Sequence, residues 1–192
     1  MQDLISQVNS QLKSKGYHIA SSEAKTWLGN QVRKLRLSPE KTSRVRERWR
    51  NQSYIGKMYF FFYDPKTRDK LSYYDTFPLV IPFQRTSDGF IGINLHYVEP
   101  KIRLKILDKL MAYLTNDKMD ETTRIKMSYN FIQTLSTYNF MAPCIKRYLY
   151  SSVNSKFLYI EPIEWQFCSL LPFELFQKEN KRTVFKESRE KF

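Results

Sequence analysis

The chain has 192 residues, of which 42% are hydrophobic and 16% aromatic, with only five glycines. That composition supplies one packed domain with an extension and excludes bulk disorder. A formal net charge of +13 favours a polyanionic neighbour: nucleic acid, an acidic protein surface or an anionic membrane.

The charge is uneven. Residues 1–50 hold eleven Lys+Arg against four Asp+Glu, a net of +7, and the other 142 residues carry only +6. Leu4, Ile5, Val8 and Leu12 recur at helical spacing, so a short amphipathic helix is predicted over about residues 3–15, ended by Gly16. Ser21 or Ser22 can cap a second helix with Ala24, Trp27, Leu28, Val32 and Leu35 on one face. Ser38-Pro39-Glu40 restarts a third: Ser at the cap, Pro in the first turn, an acid near the positive end of the dipole. Its apolar anchors are Val45 and Trp49, and most of the remaining surface is arginine.

Residues 57–99 read as a β-module. Strands are predicted at about 57–63, 77–85 and 90–97, with Thr86–Gly89 as the hairpin turn, because Asp88-Gly89 at the junction tolerates the positive φ of a tight turn. Pro78 and Pro82 cannot donate to a ladder, which makes the second strand an edge or a bulged strand. Glu99-Pro100 opens a helix with Ile102, Ile106, Leu107, Leu110, Met111 and Leu114 on one side. After a turn at 116–120 another helix places Ile125, Tyr129, Ile132 and Leu135 inward. Pro143 is expected to start a short helix through Tyr150, and 156–160 a strand that returns to the sheet. Pro162 opens a last helix containing Trp165 and Leu170, and 178–192 reads as an extended charged tail.

Catalytic signals are weak. No Walker, G-x-S-x-G or H-E-x-x-H motif is present. His96 has no recognisable nucleophile or orienting acid in sequence and reads as structural. His96, Cys144 and Cys168 are too scattered for a zinc site, and the two cysteines read as reduced, buried small hydrophobes. Asp64, Asp69, Asp75 and Asp88 all fall at expected turns, where Asp bonds its own backbone. No cofactor and no enzymatic activity are expected. No apolar run reaches the roughly 18 residues of a membrane span, and the N-terminus lacks the pattern of a secretory signal.

The strongest binding signal is the run Arg33, Lys34, Arg36, Lys41, Arg44, Arg46, Arg48 and Arg50, opposed only by Glu40 and Glu47. Guanidinium forks match phosphate oxygens and release counterions from DNA. The same surface can also be a solvated helix face or a dock for acidic subunits. Lys146 and Arg147, on an expected short helix beside aromatic neighbours, are either a second anion grip or solvated cations. The aromatics of 59–63 and 73–77 read as core and cross-strand pairs rather than a base-stacking platform.

Several strings also carry a family resemblance. Gly56-Lys57-Met58-Tyr59, Tyr63-Asp64-Pro65-Lys66, Tyr73-Tyr74-Asp75 with Phe77-Pro78-Leu79-Val80, and Asp88-Gly89-Phe90 with Gly92 to Tyr97 are similar to small virion proteins of T-even-like contractile-tailed phages. The Pro143–Tyr150 and Pro162–Trp165 segments extend the likeness. Within that group the closest type is the DNA end protector of the head; a neck, tail or baseplate component is the alternative. The resemblance implies a virion protein made in the host cytoplasm, with other virion proteins as partners and sequence-independent double-stranded DNA as a ligand. It supplies no catalytic residues. The expected organisation is α+β: a basic helical arm over 1–55, a core domain over 56–177 and a charged tail over 178–192. The core is a small antiparallel sheet or SH3-like partly open barrel with a helical insertion and a C-terminal helix.

Overall fold

A computed structural model describes residues 48–165 and 173–190, together with Ser14 and Gly16. The first two predicted helices and most of the third lie outside the described residues, as do Leu170 and Cys168. Among the described residues, eight strands form two sheets. Strands β1 (Trp49–Arg50), β2 (Met58–Phe60), β4 (Leu79–Thr86), β5 (Gly89–Asn94), β6 (Ile145–Leu149) and β7 (Phe157–Ile160) make one antiparallel sheet in the order β1-β7-β2-β4-β5-β6. A second, two-stranded sheet pairs β3 (Tyr74–Asp75) with β8 (Phe176–Gln177). Two α-helices, α1 (Pro100–Leu114) and α2 (Glu121–Ser136), are inserted between β5 and β6, and α3 (Lys181–Glu190) follows β8. The class is α+β, as expected.

Period-two alternation divides the main sheet's side chains between two cores. Met58, Phe60, Leu79, Ile81, Ile93 and Ile160 join Ile106, Leu107, Leu110, Ile132, Leu135 and Val184 in the larger core, which the helices complete. Tyr59, Phe61, Tyr63, Val80, Phe90, Tyr148 and Phe157 form a smaller aromatic core on the other side. Two strands separate β7 from β5, which in a flat sheet puts them roughly 14 Å apart. The Phe157 and Phe90 rings nevertheless lie 6.0 Å apart between centroids. The sheet is therefore strongly curved, and the aromatic core fills its concave side. The curl is tied by Tyr63, which continues from β2 to bridge Val153, and by hydrogen bonds from Asp64 N–H to Ser152 O and from Asn154 N–H to Phe62 O.

The β4–β5 hairpin forms as expected, with its turn at Thr86–Gly89, but not through positive φ. Thr86 pairs with Gly89, so Ser87 and Asp88 are the turn residues, and neither has positive φ. Gly89 is required for another reason. A Cβ there would sit 1.9 Å from the Tyr148 carbonyl oxygen, so only glycine lets β6 approach. β4 is a central strand, not an edge; the bulge falls at Phe83, between Pro82 and Gln84. Its ladder to β2 is confined to Leu79 and Val80, so the missing Pro82 N–H removes no bond on that side.

Other expectations are corrected. Trp49 and Arg50, read as the end of a helix, form β1 on β7. Residues 145–149 are strand β6 rather than helix: a 3₁₀ turn, Asn139–Cys144, uses Pro143, and the following Ile-Lys-Arg-Tyr-Leu pairs along β5. Ile125 and Tyr129 are exposed on α2; Ile132 and Leu135 alone of the four face the core. The tail at 181–190 is a helix. Asn180 caps it by accepting the Arg182 and Thr183 N–H bonds, and Val184 is fully buried.

Candidate nucleic-acid interface

The arm residues Arg33, Lys34, Arg36, Lys41, Arg44 and Arg46 lie outside the described residues. The four other basic candidates are dispersed. Arg48 places Nη1 at 2.8 and 2.7 Å from the two Glu164 oxygens, with Glu161 at 3.6 Å from Nη2. It thereby clamps the chain entering β1 to the turn after β7. Arg50 is exposed at the sheet edge in β1. Lys146 and Arg147 are consecutive in β6, and consecutive strand residues point apart. The Lys146 ammonium lies 4.5 Å from the Tyr97 ring centroid, a cation–π contact. Arg147 donates to both Asp88 oxygens at 2.8 and 2.9 Å, and that bond is the main reason the Asp88 carboxyl titrates below its ordinary range.

Directly after Arg50 the chain lines a groove of about 420 Å³. Asn51, Gln52 and Ser53 form one side; Arg85, Tyr150 and Ser155 contribute polar and aromatic groups, and Val153 and Phe157 bring in the edge of the aromatic core. Each part is positioned by the fold. The 51–53 segment is held at one end by the β1–β7 pairs. At the other end the Tyr54 N–H donates to Tyr59 Oη at 3.1 Å and the Gly56 N–H to Pro82 O at 2.8 Å. Burial pushes the Tyr59 hydroxyl up to about 12, against the lowering effect of that Tyr54 bond. Arg85 sits in the β4 ladder opposite Phe90, and among the described residues it makes no ion pair. Tyr150 opens a 3₁₀ turn, Tyr150–Ser152; its N–H donates to Asp88 O at 3.0 Å and its ring lies 5.9 Å from Phe90. The Tyr150 side chain is nevertheless 43% exposed. An exposed arginine, two carboxamides and an open aromatic ring can bind phosphate, base edges and a base face.

Sequence reasoning did not find this groove. Asn51, Gln52, Arg85 and Tyr150 are dispersed over a hundred positions, and no local motif links them. The exposed position of Arg85 just before a hairpin turn was the one available signal.

A second polar cluster is internal. His96 Nδ1 lies 2.6 Å from Asp75 Oδ2, and Asn94 Nδ2 donates to the same oxygen at 3.3 Å. Asp75 therefore is not only a turn former. Its other oxygen accepts the Phe77 N–H, as a turn-forming Asp does, and the Leu175 N–H. Nearby, Arg103 Nη2 donates to Glu174 Oε1 at 2.8 Å and Lys181 Nζ to Glu174 Oε2 at 2.6 Å. The orienting acid that the sequence did not reveal for His96 thus exists. However, His96 and Asp75 are 0% and 3% exposed, and among the described residues His96 Nε2 has no hydrogen-bond partner. The cluster instead joins β3, the turn after β5, α1, the segment before β8 and α3. Among the described residues no three His, Cys, Asp or Glu side chains gather in a metal-ligating group, and no helix is long and apolar enough to cross a membrane.

No curated protein sequence and no solved structure matches the chain. A family model does: that of the phage T4 terminal DNA protecting protein, over residues 1–191. The match covers the basic N-terminal sequence as well as the curved-sheet domain, and it agrees with the virion-protein resemblance of the motifs at 56–165. The chain therefore belongs to the family of T4-like phage DNA end protectors, structural proteins of the virion that protect DNA ends.

Proposed function

We propose that this chain holds the termini of packaged DNA without chemistry of its own, through its basic segment 33–50 and the adjoining groove. The observation that carries this is continuity. Arg50, the last residue of the arginine run, is followed at once by the groove residues Asn51–Ser53, with Arg85 and Tyr150 on the same cavity. Arg33, Lys34, Arg36, Lys41, Arg44, Arg46 and Arg50 supply sequence-independent phosphate contacts. Arg48 serves the fold through Glu164, Arg147 is paired with Asp88, and Lys146 adds positive potential on β6. The ligand is double-stranded DNA, the site of action is the virion, synthesis is in the host cytoplasm, and the neighbours are other virion proteins. Exposed Ile125, Met127 and Tyr129 on α2 favour protein contacts as well, consistent with a second reading in which the arm docks acidic subunits of the neck, tail or baseplate.

Changing Arg44, Arg46 and Arg50 to Glu separates the two. Log affinity for duplex DNA falls with log salt at a slope of about −0.9 per phosphate neutralised. On the end-protecting reading the triple variant binds DNA more weakly and with a flatter slope. Undetectable duplex binding by the unaltered protein at physiological salt, with incorporation into particles lost in the variant, supports the second reading and overturns the first.

A further inference from the structure

We infer that the groove lined by Asn51, Gln52, Arg85 and Tyr150 takes a single terminal nucleotide of a DNA strand, so that it reads the end itself rather than the duplex beside it. The inference rests on the end-protecting reading above and adds to it the element that distinguishes an end from the interior.

Size comes first. The cavity of about 420 Å³ lies in the lower part of the range for small-ligand sites, roughly 300–1,000 Å³. A duplex, whose major groove alone is about 12 Å wide, does not enter it; one splayed nucleotide does. Chemistry comes second. The Tyr150 ring is backed by Phe90 yet nearly half exposed, which is how a base-stacking ring is presented. Arg85 is exposed and, among the described residues, bound to no carboxylate, unlike Arg48, Arg68, Arg103 and Arg147. Its fork is available to a phosphate. The Asn51 and Gln52 amides each offer donors and an acceptor to a base edge.

Selectivity follows from what the nucleotide must give up. An interior nucleotide is paired and stacked on both sides, and it enters a pocket only by flipping out at the cost of both. A terminal nucleotide is stacked on one side, and an overhanging one is unpaired already. The phosphate-gripping segment makes this distinction poorly, because all but the terminal phosphate are the same diesters at an end and in the interior. The groove can make it.

The test uses the full chain and two probes of one sequence: a linear duplex with short 5′-phosphorylated overhangs and its covalently closed circle. The ratio of their dissociation constants measures end preference. Tyr150→Ala and Arg85→Ala should each reduce that preference, for Tyr150→Ala by roughly 5- to 150-fold, the range of a lost base–aromatic stack. Tyr150→Phe should keep it, and affinity for the circle should be unchanged in all three. Thermal unfolding of each variant checks the fold, and Tyr150→Phe keeps the ring on Phe90 if Tyr150→Ala unfolds. Wild-type end preference in folded Tyr150→Ala and Arg85→Ala overturns the groove assignment and leaves the end-protecting reading standing. Equal affinity of the unaltered protein for line and circle overturns both.

Discussion

Removal of the Glu174 carboxylate should be among the most damaging single changes to this fold. Arg103 on α1 is wholly buried. Its Nε donates to Val98 O at 2.6 Å, Nη2 donates to His96 O at 3.0 Å and to Glu174, and the guanidinium stacks 5.6 Å from the Phe185 ring centroid. Burial pulls the Arg103 pKa down, and Glu174 is the chief influence that restores it. Glu174→Ala removes the carboxylate that pairs directly with the buried Arg103 guanidinium, a change worth about 3–5 kcal/mol. At about 2–4 °C per kcal/mol for a chain of this size, the midpoint should fall by roughly 6–20 °C. Arg103→Met removes the charge but leaves the Val98 and His96 carbonyls without those donors, at about 1–3 kcal/mol each. Glu174 keeps Lys181 in that variant. The double variant should therefore cost well under the sum of the two singles, with a coupling above about 1 kcal/mol. Thermal unfolding gives the midpoints of all three, and urea unfolding followed by tryptophan fluorescence gives their free energies. A Glu174→Ala midpoint within 1 °C of wild type, or single-variant costs that add, would refute the claim that this pair fixes α1 to the segment before β8.

Three further outcomes follow from the same geometry. Burial alone would raise the Glu174 pKa, but the charges of Arg103, His96 and Lys181 hold it at about 2, below its usual 4.5; its contribution of about 3 kcal/mol is full above pH 4.5 and is lost as pH falls toward 2, so Glu174→Gln should flatten the acid limb of a stability–pH curve. Gly89→Ala pushes a methyl into the Tyr148 carbonyl and should cost about 1–3 kcal/mol or more, read as faster amide exchange along β6 than along β2. Trp165 is 2% exposed and its indole N–H donates to Ile160 O at 2.9 Å, so Trp165→Ala should lower stability by about 3–5 kcal/mol, and unchanged thermal stability would contradict its place in the larger core.

The elements with strong local signals were legible. Alternation at 79–83 and 90–93, a turn-rich junction and a returning strand at 157–160 gave the centre of the main sheet, and helical spacing gave α1. The errors fall where long-range partners outweigh local pattern. Lys146 and Arg147 look helical beside Pro143, yet β5 offers them a ladder that sequence proximity cannot show. The charged tail reads as extended and only conditionally ordered, yet Val184 and a capped first turn suffice for a helix once Glu174 meets Lys181 and Tyr73 meets Glu187. On α2 the apolar stripe was drawn one turn too long, and Ile125 and Tyr129 face solvent. The arginine run was visible from composition alone, whereas the groove needed Asn51, Arg85 and Tyr150 brought together from three parts of the chain.

Exonuclease digestion of linear duplex DNA tests the central claim most directly. With the protein in modest excess over DNA ends, digestion from those ends should stop or slow sharply, while endonuclease cutting at internal sites of the same DNA proceeds at its normal rate. Removal of residues 1–47 or the Arg44, Arg46 and Arg50 charge reversal should abolish the protection. Unimpeded exonuclease digestion, or equal slowing of internal cutting, would contradict the account.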